Sequence, residues 1–152
     1  SNICEAYKTN QVAKLPLKKA AKKKKERYFY YLVIHQGSQY TYIKKRIEKD
    51  VWNSLYEFPL IERNTKIDIN KITQTSEWEN IFIGSRPQII SISKVYKHIL
   101  SHQNIYATFI DIELPFQSNF LKNNCLKIKK KDFDHFAISS LIEKHLEQKE
   151  WD

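Results

Sequence analysis

Tyr28 to Ile34 is an unbroken run of aromatic and aliphatic residues, and it limits the possible folds more than any other segment. A β-strand points successive side chains to opposite faces, so a run that is apolar at every position is apolar on both faces. Such a strand belongs in the middle of a sheet, buried. Gln36-Gly37-Ser38-Gln39 follows as a turn signal. Tyr40 to Arg46 then alternates well enough to be the second arm of a hairpin with that first strand.

Further along, Ser76 to Ile83 predicts a short helix whose Ser76-Glu77-Trp78-Glu79 start has capping-box spacing. Ser91 to Ile99 and Ile105 to Glu113 predict two strands, and the short Leu100 to Asn104 link makes them a hairpin. Cys125 to Lys129 is a further candidate strand. Ile138, Leu141, Ile142 and Leu146 recur at helical spacing and predict an amphipathic C-terminal helix. The expected class is α+β, a mainly antiparallel or mixed sheet with one or two packed helices. No internal repeat is visible.

A chain of 152 residues with 41% hydrophobic content suits one domain with a core of its own, flanked by a tail. No stretch reaches the ~20 apolar residues of a membrane helix, and no membrane association is expected. The only cysteines are Cys4 and Cys125, too few for a disulfide framework. A reducing, cytoplasmic setting is the expectation. The only glycines are Gly37 and Gly84, so no phosphate-cradling glycine loop can be written. His35, His98, His135 and His145 stand at no ligand spacing with Cys125, and no metal site is expected.

Lysine and arginine outnumber the acids 26 to 17, for a net charge of +9. Such an excess favours polyanionic partners, nucleic acid or an anionic membrane surface. The charge is concentrated in residues 1–26, where Lys18, Lys19 and Lys22 to Lys25 form a run with nothing apolar to bury. This segment reads as a solvated linker and also as an arm that contacts phosphate, and the two are compatible. The folded domain is expected over 27–152. Lys44, Lys45 and Arg46 close a predicted strand, as phosphate contacts or as a solvated strand end. Trp52, Tyr56 and Phe58 read as core rather than as stacking platforms. Ser101 and His102 fall in a hairpin tip, where turn chemistry alone accounts for their types.

Lys45-Arg46-Ile47-Glu48-Lys49-Asp50-Val51-Trp52-Asn53-Ser54-Leu55-Tyr56-Glu57-Phe58-Pro59 resembles a stretch of the MutY family of adenine DNA glycosylases that runs K/R-R-x(4)-I/V-W-x-G-L-Y-E-F-P. His98-Ile99-Leu100-Ser101-His102 is similar to that family's H-x-F-S-H loop, and the distance between the segments also fits. Cys4-Glu5-Ala6-Tyr7 with Leu15-Pro16-Leu17-Lys18 is similar to the end of its iron-sulfur region and the linker after it. The resemblance implies a C-terminal, Nudix-like domain that recognises 8-oxoguanine opposite adenine in double-stranded DNA during base-excision repair. It implies a catalytic domain N-terminal to this chain, and no catalytic residue here. Cys4 would be the fourth ligand of that domain's 4Fe-4S cluster, and no cofactor is expected in this fragment. A monomer is expected.

On this resemblance Leu100, Ser101 and His102 become the lesion-reading tip, with Lys44, Lys45, Arg46, Lys18 and Lys19 on the DNA backbone. Oxidation of guanine at C8 adds an N7 hydrogen and a C8 carbonyl, and a hydroxyl at Ser101 can answer both. Leu100 could act as an apolar wedge. Ser54 stands where the family has glycine and Leu100 where it has phenylalanine, so a different local backbone and the loss of an aromatic contact are the expectations at these two positions. A catalytic Nudix domain needs a glutamate-rich helix of the form R-E-x-x-E-E to bind metal. Leu60 to Asp68 contains no such cluster, and Glu143, Glu147 and Glu150 read as a solvated helix face. The rival readings are a degenerate Nudix-like scaffold that binds protein and a general basic nucleic-acid module without lesion preference.

Overall fold

The computed structural model describes residues 24–47 and 52–148. The run at Tyr28 forms the centre of strand β1, Lys25–His35. β1 lies parallel to β7, Gln103–Glu113, from Lys25↔Gln103 to His35↔Glu113. Its other edge pairs antiparallel with β4, Leu60–Arg63. Beyond β7 lie β5, Gln88–Ile92, and β6, Tyr96–Ile99, both antiparallel to it. The sheet is therefore mixed, and its longest ladder is the parallel one.

A second sheet has the order β3-β2-β8, with β2 at Tyr40–Lys45, β3 at Tyr56–Glu57 and β8 at Leu126–Lys129. This corrects the expected hairpin of β1 with Tyr40–Arg46. The turn itself is real, closed by Gln36 N–H donating to the Tyr40 carbonyl at 3.0 Å. β7 takes one edge of β1 along its whole length, β4 and Pro59 take the other as far as Leu32, and Tyr40 to Ile43 pair with β8 instead. The predicted single strand Ser91–Ile99 is also divided. Ser93 accepts the Phe109 N–H on its hydroxyl, and that side-chain bond interrupts the backbone ladder between β5 and β6.

The two faces of β1 seed two cores. Phe29, Tyr31 and Val33 pack with Trp52, Phe58, Phe109, Phe133, Leu141 and Ile142, the last two from helix α3, Ser140–Glu147. Tyr30, Leu32 and Ile34 pack with Ile72, Trp78, Phe82 and Leu121. Trp78 and Phe82 belong to helix α1, Ser76–Phe82, and Leu121 to helix α2, Asn119–Asn124. The start of α1 differs from the capping box read in the sequence. Thr75, one residue earlier, is the cap and accepts the Trp78 N–H, while Glu77 turns to Arg63.

Candidate nucleic-acid interface

The hairpin of β6 and β7 carries the tip. Leu100 N–H donates to the Gln103 carbonyl at 2.9 Å and closes the turn. Ser101 and His102 are exposed, with side chains open to solvent. The Lys25 N–H donates to the His102 carbonyl at 3.3 Å, so the start of β1 is stitched to the tip. Lys24 and Lys25, the last members of the lysine run, are exposed beside it. Lys18, Lys19 and Cys4 lie outside the described residues, as does the expected linker apart from Lys24 to Glu26. Among the described residues strand β1 already includes Lys25 and Glu26, ahead of the expected boundary at Arg27, because β7 is long enough to pair with them.

Trp52, from the family-like segment 45–59, lies directly under the hairpin. His98 stacks at a tilt on Trp52, ring centres 5.3 Å apart, and Trp52 meets Phe29 edge to face at 6.0 Å. Trp52 and Phe58 are buried, as expected of core residues, and Tyr56 is half-buried. Ser54 adopts φ 72°, a left-handed backbone. The turn keeps the conformation that glycine would supply, although serine occupies it. Its N–H donates to the Arg46 carbonyl at 2.9 Å.

Arg46 does not reach the surface. Its side chain is 2% exposed and pairs with Glu57 at 3.1 Å and Glu62 at 3.0 Å. The guanidinium also lies 5.3 Å from the centre of the Phe29 ring. Arg27 shares Glu62 at 3.1 Å. The phosphate contact read for Arg46 is corrected on these grounds: a buried guanidinium held by two carboxylates has its donors directed inward. Burial pushes the Glu57 carboxyl up to about 7, with Arg46 pulling the other way. Lys45 is exposed and Lys44 half-buried, both in the second sheet.

Leu100 differs from the wedge read in the sequence. It is half-buried and packs against the first core. Its neighbour Ile99 is 64% exposed. Strand alternation explains the division. Tyr96 and His98 point inward, and Lys97 and Ile99 point to the other face, where the Lys97 ammonium lies 5.7 Å from the centre of the Tyr106 ring. Lys97 and Ile99 were absent from the sequence-derived site. The alternation along Tyr96–Ile99 was a usable signal, but it does not say which face is covered.

Three other constellations bear on catalysis. A groove of about 710 Å³ is lined by Tyr28, Tyr106, Lys66, Asp68 and Val95, among others. Its acid, Asp68, accepts the Asn70 N–H at 3.0 Å as a helix cap. Elsewhere Lys130 Nζ donates to His35 Nδ1 at 2.7 Å, His35 Nε2 meets Asp111 at 2.9 Å, and Ser91 donates to Asp111 at 2.7 Å. The serine contacts the carboxylate rather than the imidazole, so this chain of bonds does not activate a nucleophile. Helix α1 carries Glu77, pulled down to about 2 by its hydrogen bonds to Arg63, and an exposed Glu79. Among the described residues no group of three or more His, Cys, Asp or Glu could hold a metal ion, and no helix is long and apolar enough to cross a membrane.

This strand order, with its hairpin and flanking helices, is that of a known domain class. The NUDIX domain model matches residues 30–148, and the chain belongs to that family. Within it the chain is MutY-like, because its sequence relatives are adenine DNA glycosylases. That of Buchnera aphidicola subsp. Schizaphis graminum is 32% identical over 123 residues, covering 77% of this chain and 31% of the relative. That of Buchnera aphidicola subsp. Acyrthosiphon pisum is 26% identical over 149 residues, covering 95% and 39%. The chain thus spans about a third of the length of these relatives. The fold is shared with the C-terminal domain of mouse MUTYH, solved in complex with human PCNA: TM-score 0.60, 13% identity, 80% of this chain and 85% of that one. A NUDIX hydrolase from Nitrosomonas europaea superposes at TM-score 0.58 with 10% identity, covering 81% and 87%.

Proposed function

We propose that this chain is the lesion-reading part of a longer adenine DNA glycosylase and recognises 8-oxoguanine opposite adenine in duplex DNA. The observation that carries the reading is a convergence: the exposed Ser101-His102 tip, the described end of the lysine run and the Trp52 turn all meet at one hairpin. The lysines supply the sequence-independent hold on phosphate. The Ser101 hydroxyl, which both donates and accepts, answers the N7 hydrogen and C8 carbonyl that only the oxidised base presents. Glycosidic cleavage belongs to the part of the longer protein N-terminal to this chain, acting as a monomer in the cytoplasm. A 4Fe-4S cluster needs four thiolates. With only Cys4 and Cys125, this chain does not fit such a cluster and offers at most Cys4 as one ligand.

The test is the longer protein with Ser101→Ala, then with Ser101→Ala and His102→Ala, excising adenine opposite 8-oxoguanine and opposite guanine. Loss of one such hydrogen bond costs on the order of 1 kcal/mol, a few-fold in discrimination. Excision opposite 8-oxoguanine should fall further than excision opposite guanine. Equal losses on both substrates would show that the tip grips DNA without reading the lesion. A second reading, a scaffold that docks protein, is favoured by exposed Ile90 and Ile92 on β5 and exposed Val95 just before β6. It requires that the chain show no preference for DNA at low salt.

A further inference from the structure

We propose that Ile99 and Lys97 form the DNA-contacting face of the hairpin, Ile99 as the apolar wedge beside the lesion and Lys97 as a phosphate contact. The proposal rests on the DNA-binding reading above. The residue aligned with the family's aromatic position, Leu100, packs against the first core and is half-buried. A side chain committed to a core cannot also enter a base step without unpacking that core. Ile99 is 64% exposed on a tip that also presents Ser101 and His102. A β-branched residue at a strand end has a stiff side chain, so holding it against a base costs little rotamer freedom. Apolar side chains pressed between base steps are a general way to unstack and kink a duplex.

The electrostatics agree. Lys97 is exposed, two residues before Ile99 on the same sheet face. Its ammonium over the Tyr106 ring keeps it near the sheet surface. Tyr106 in turn stacks on Tyr28, centres 5.1 Å apart, and its hydroxyl donates to Glu26 at 3.0 Å. Lys24 and Lys25 at the start of β1 add two more exposed cations to this end of the sheet, against one exposed acid, Glu26, which stands in register with Ile99 across Asn104. The cationic surplus suits a polyanion. The occupant is therefore duplex DNA opened at one base step.

The test uses the longer protein and a duplex with adenine opposite 8-oxoguanine, with 2-aminopurine next to the lesion to report unstacking. Ile99→Ala should lose most of the fluorescence rise and roughly tenfold in affinity, with an unchanged Tm because the residue is exposed. Lys97→Gln should flatten the slope of log affinity against log salt by about 0.9. Leu100→Ala should lower Tm, yet keep the fluorescence rise at temperatures where it is folded. An Ile99→Ala protein with full fluorescence and affinity overturns the wedge, as does a folded Leu100→Ala protein without the rise. An unchanged slope for Lys97→Gln overturns the phosphate contact. If the unaltered protein itself neither binds DNA nor prefers the oxidised base, the reading beneath falls instead, an outcome visible before any variant is made.

Discussion

Replacing Ser54 by glycine should stabilise this domain. Ser54 is exposed and sits at φ 72°, in the left-handed region. For a residue with a Cβ that conformation costs about 1–2 kcal/mol. Glycine removes the penalty but brings a freer unfolded chain, which costs back about 0.4–1 kcal/mol. The substitution also removes the Ser54 hydroxyl bond to Asn53 at 3.0 Å, an exposed contact between neighbours of small worth. The balance is a gain of roughly 0.5–1 kcal/mol, or about 2–4 °C in Tm for a domain of this size. Thermal melts and urea titrations with an unchanged m-value would measure it. Gly84→Ala makes the control with the opposite sign. Gly84 lies at φ 79° with nothing within 4 Å of an added Cβ, so backbone strain is the only cost. A lower Tm for Ser54→Gly, with m unchanged, would refute the reasoning. It would mean that the serine side chain holds the Trp52 turn by more than its backbone costs.

Arg46→Met should destabilise the domain by about 3 kcal/mol at pH 8, because it strands buried Glu57 beside Glu62; a urea midpoint within 1 kcal/mol of the parent, as an order-of-magnitude limit, would contradict that role. Below the unfolding range the same variant should leave the salt dependence of DNA binding unchanged, whereas exchanging Lys24 and Lys25 for glutamine should flatten it. Glu57 supplies a pH signature. Its folded carboxyl is pushed up to about 7 from an ordinary 4.5, so the folded state holds its proton more tightly than the unfolded one. The associated stability is complete below the unfolded value and is lost as pH rises through about 7, with a slope of at most about 1.4 kcal/mol per pH unit between them. Glu57→Gln should remove that slope from pH 5 to 7.5, and a titration of stability in which the slope persists would refute the assignment. Glu77, pulled down to about 2, works in the opposite direction and in a lower window, so the two do not overlap.

What could be read directly from the sequence was whatever is decided locally. The apolar run of β1 required burial on both faces, and the β6–β7 hairpin needed only a short link between two patterned segments. The C-terminal helix declared itself by the spacing of Leu141, Ile142 and Leu146, because one face of a helix is a periodic property; Ile138, read with them, lies before the helix in a β-bridge to Tyr56. The failures share a different cause. The place of β2 depended on a partner far along the chain, β8, which pairs with Tyr40 to Ile43. Helix α2 has only Leu121 fully buried, too little pattern to stand out from a loop.

The site was legible in the same uneven way. Motif spacing pointed to the hairpin tip and to the Trp52 turn, and the structure packs the two together through His98 and Trp52. Roles within each motif were not legible, because they depend on burial set by distant residues. Arg46 reads as a surface cation next to Lys44 and Lys45, yet Glu57 and Glu62 from two other strands draw it into the interior. Leu100 reads as the exposed member of its motif, yet the turn closed by Gln103 directs it into the core and leaves Ile99 outside. At Ser54 the opposite holds: the residue departs from the pattern while the backbone keeps the left-handed turn. A motif preserves a backbone path more faithfully than it preserves the task of each side chain, since the path is set by local turns and each task by what packs against it from elsewhere.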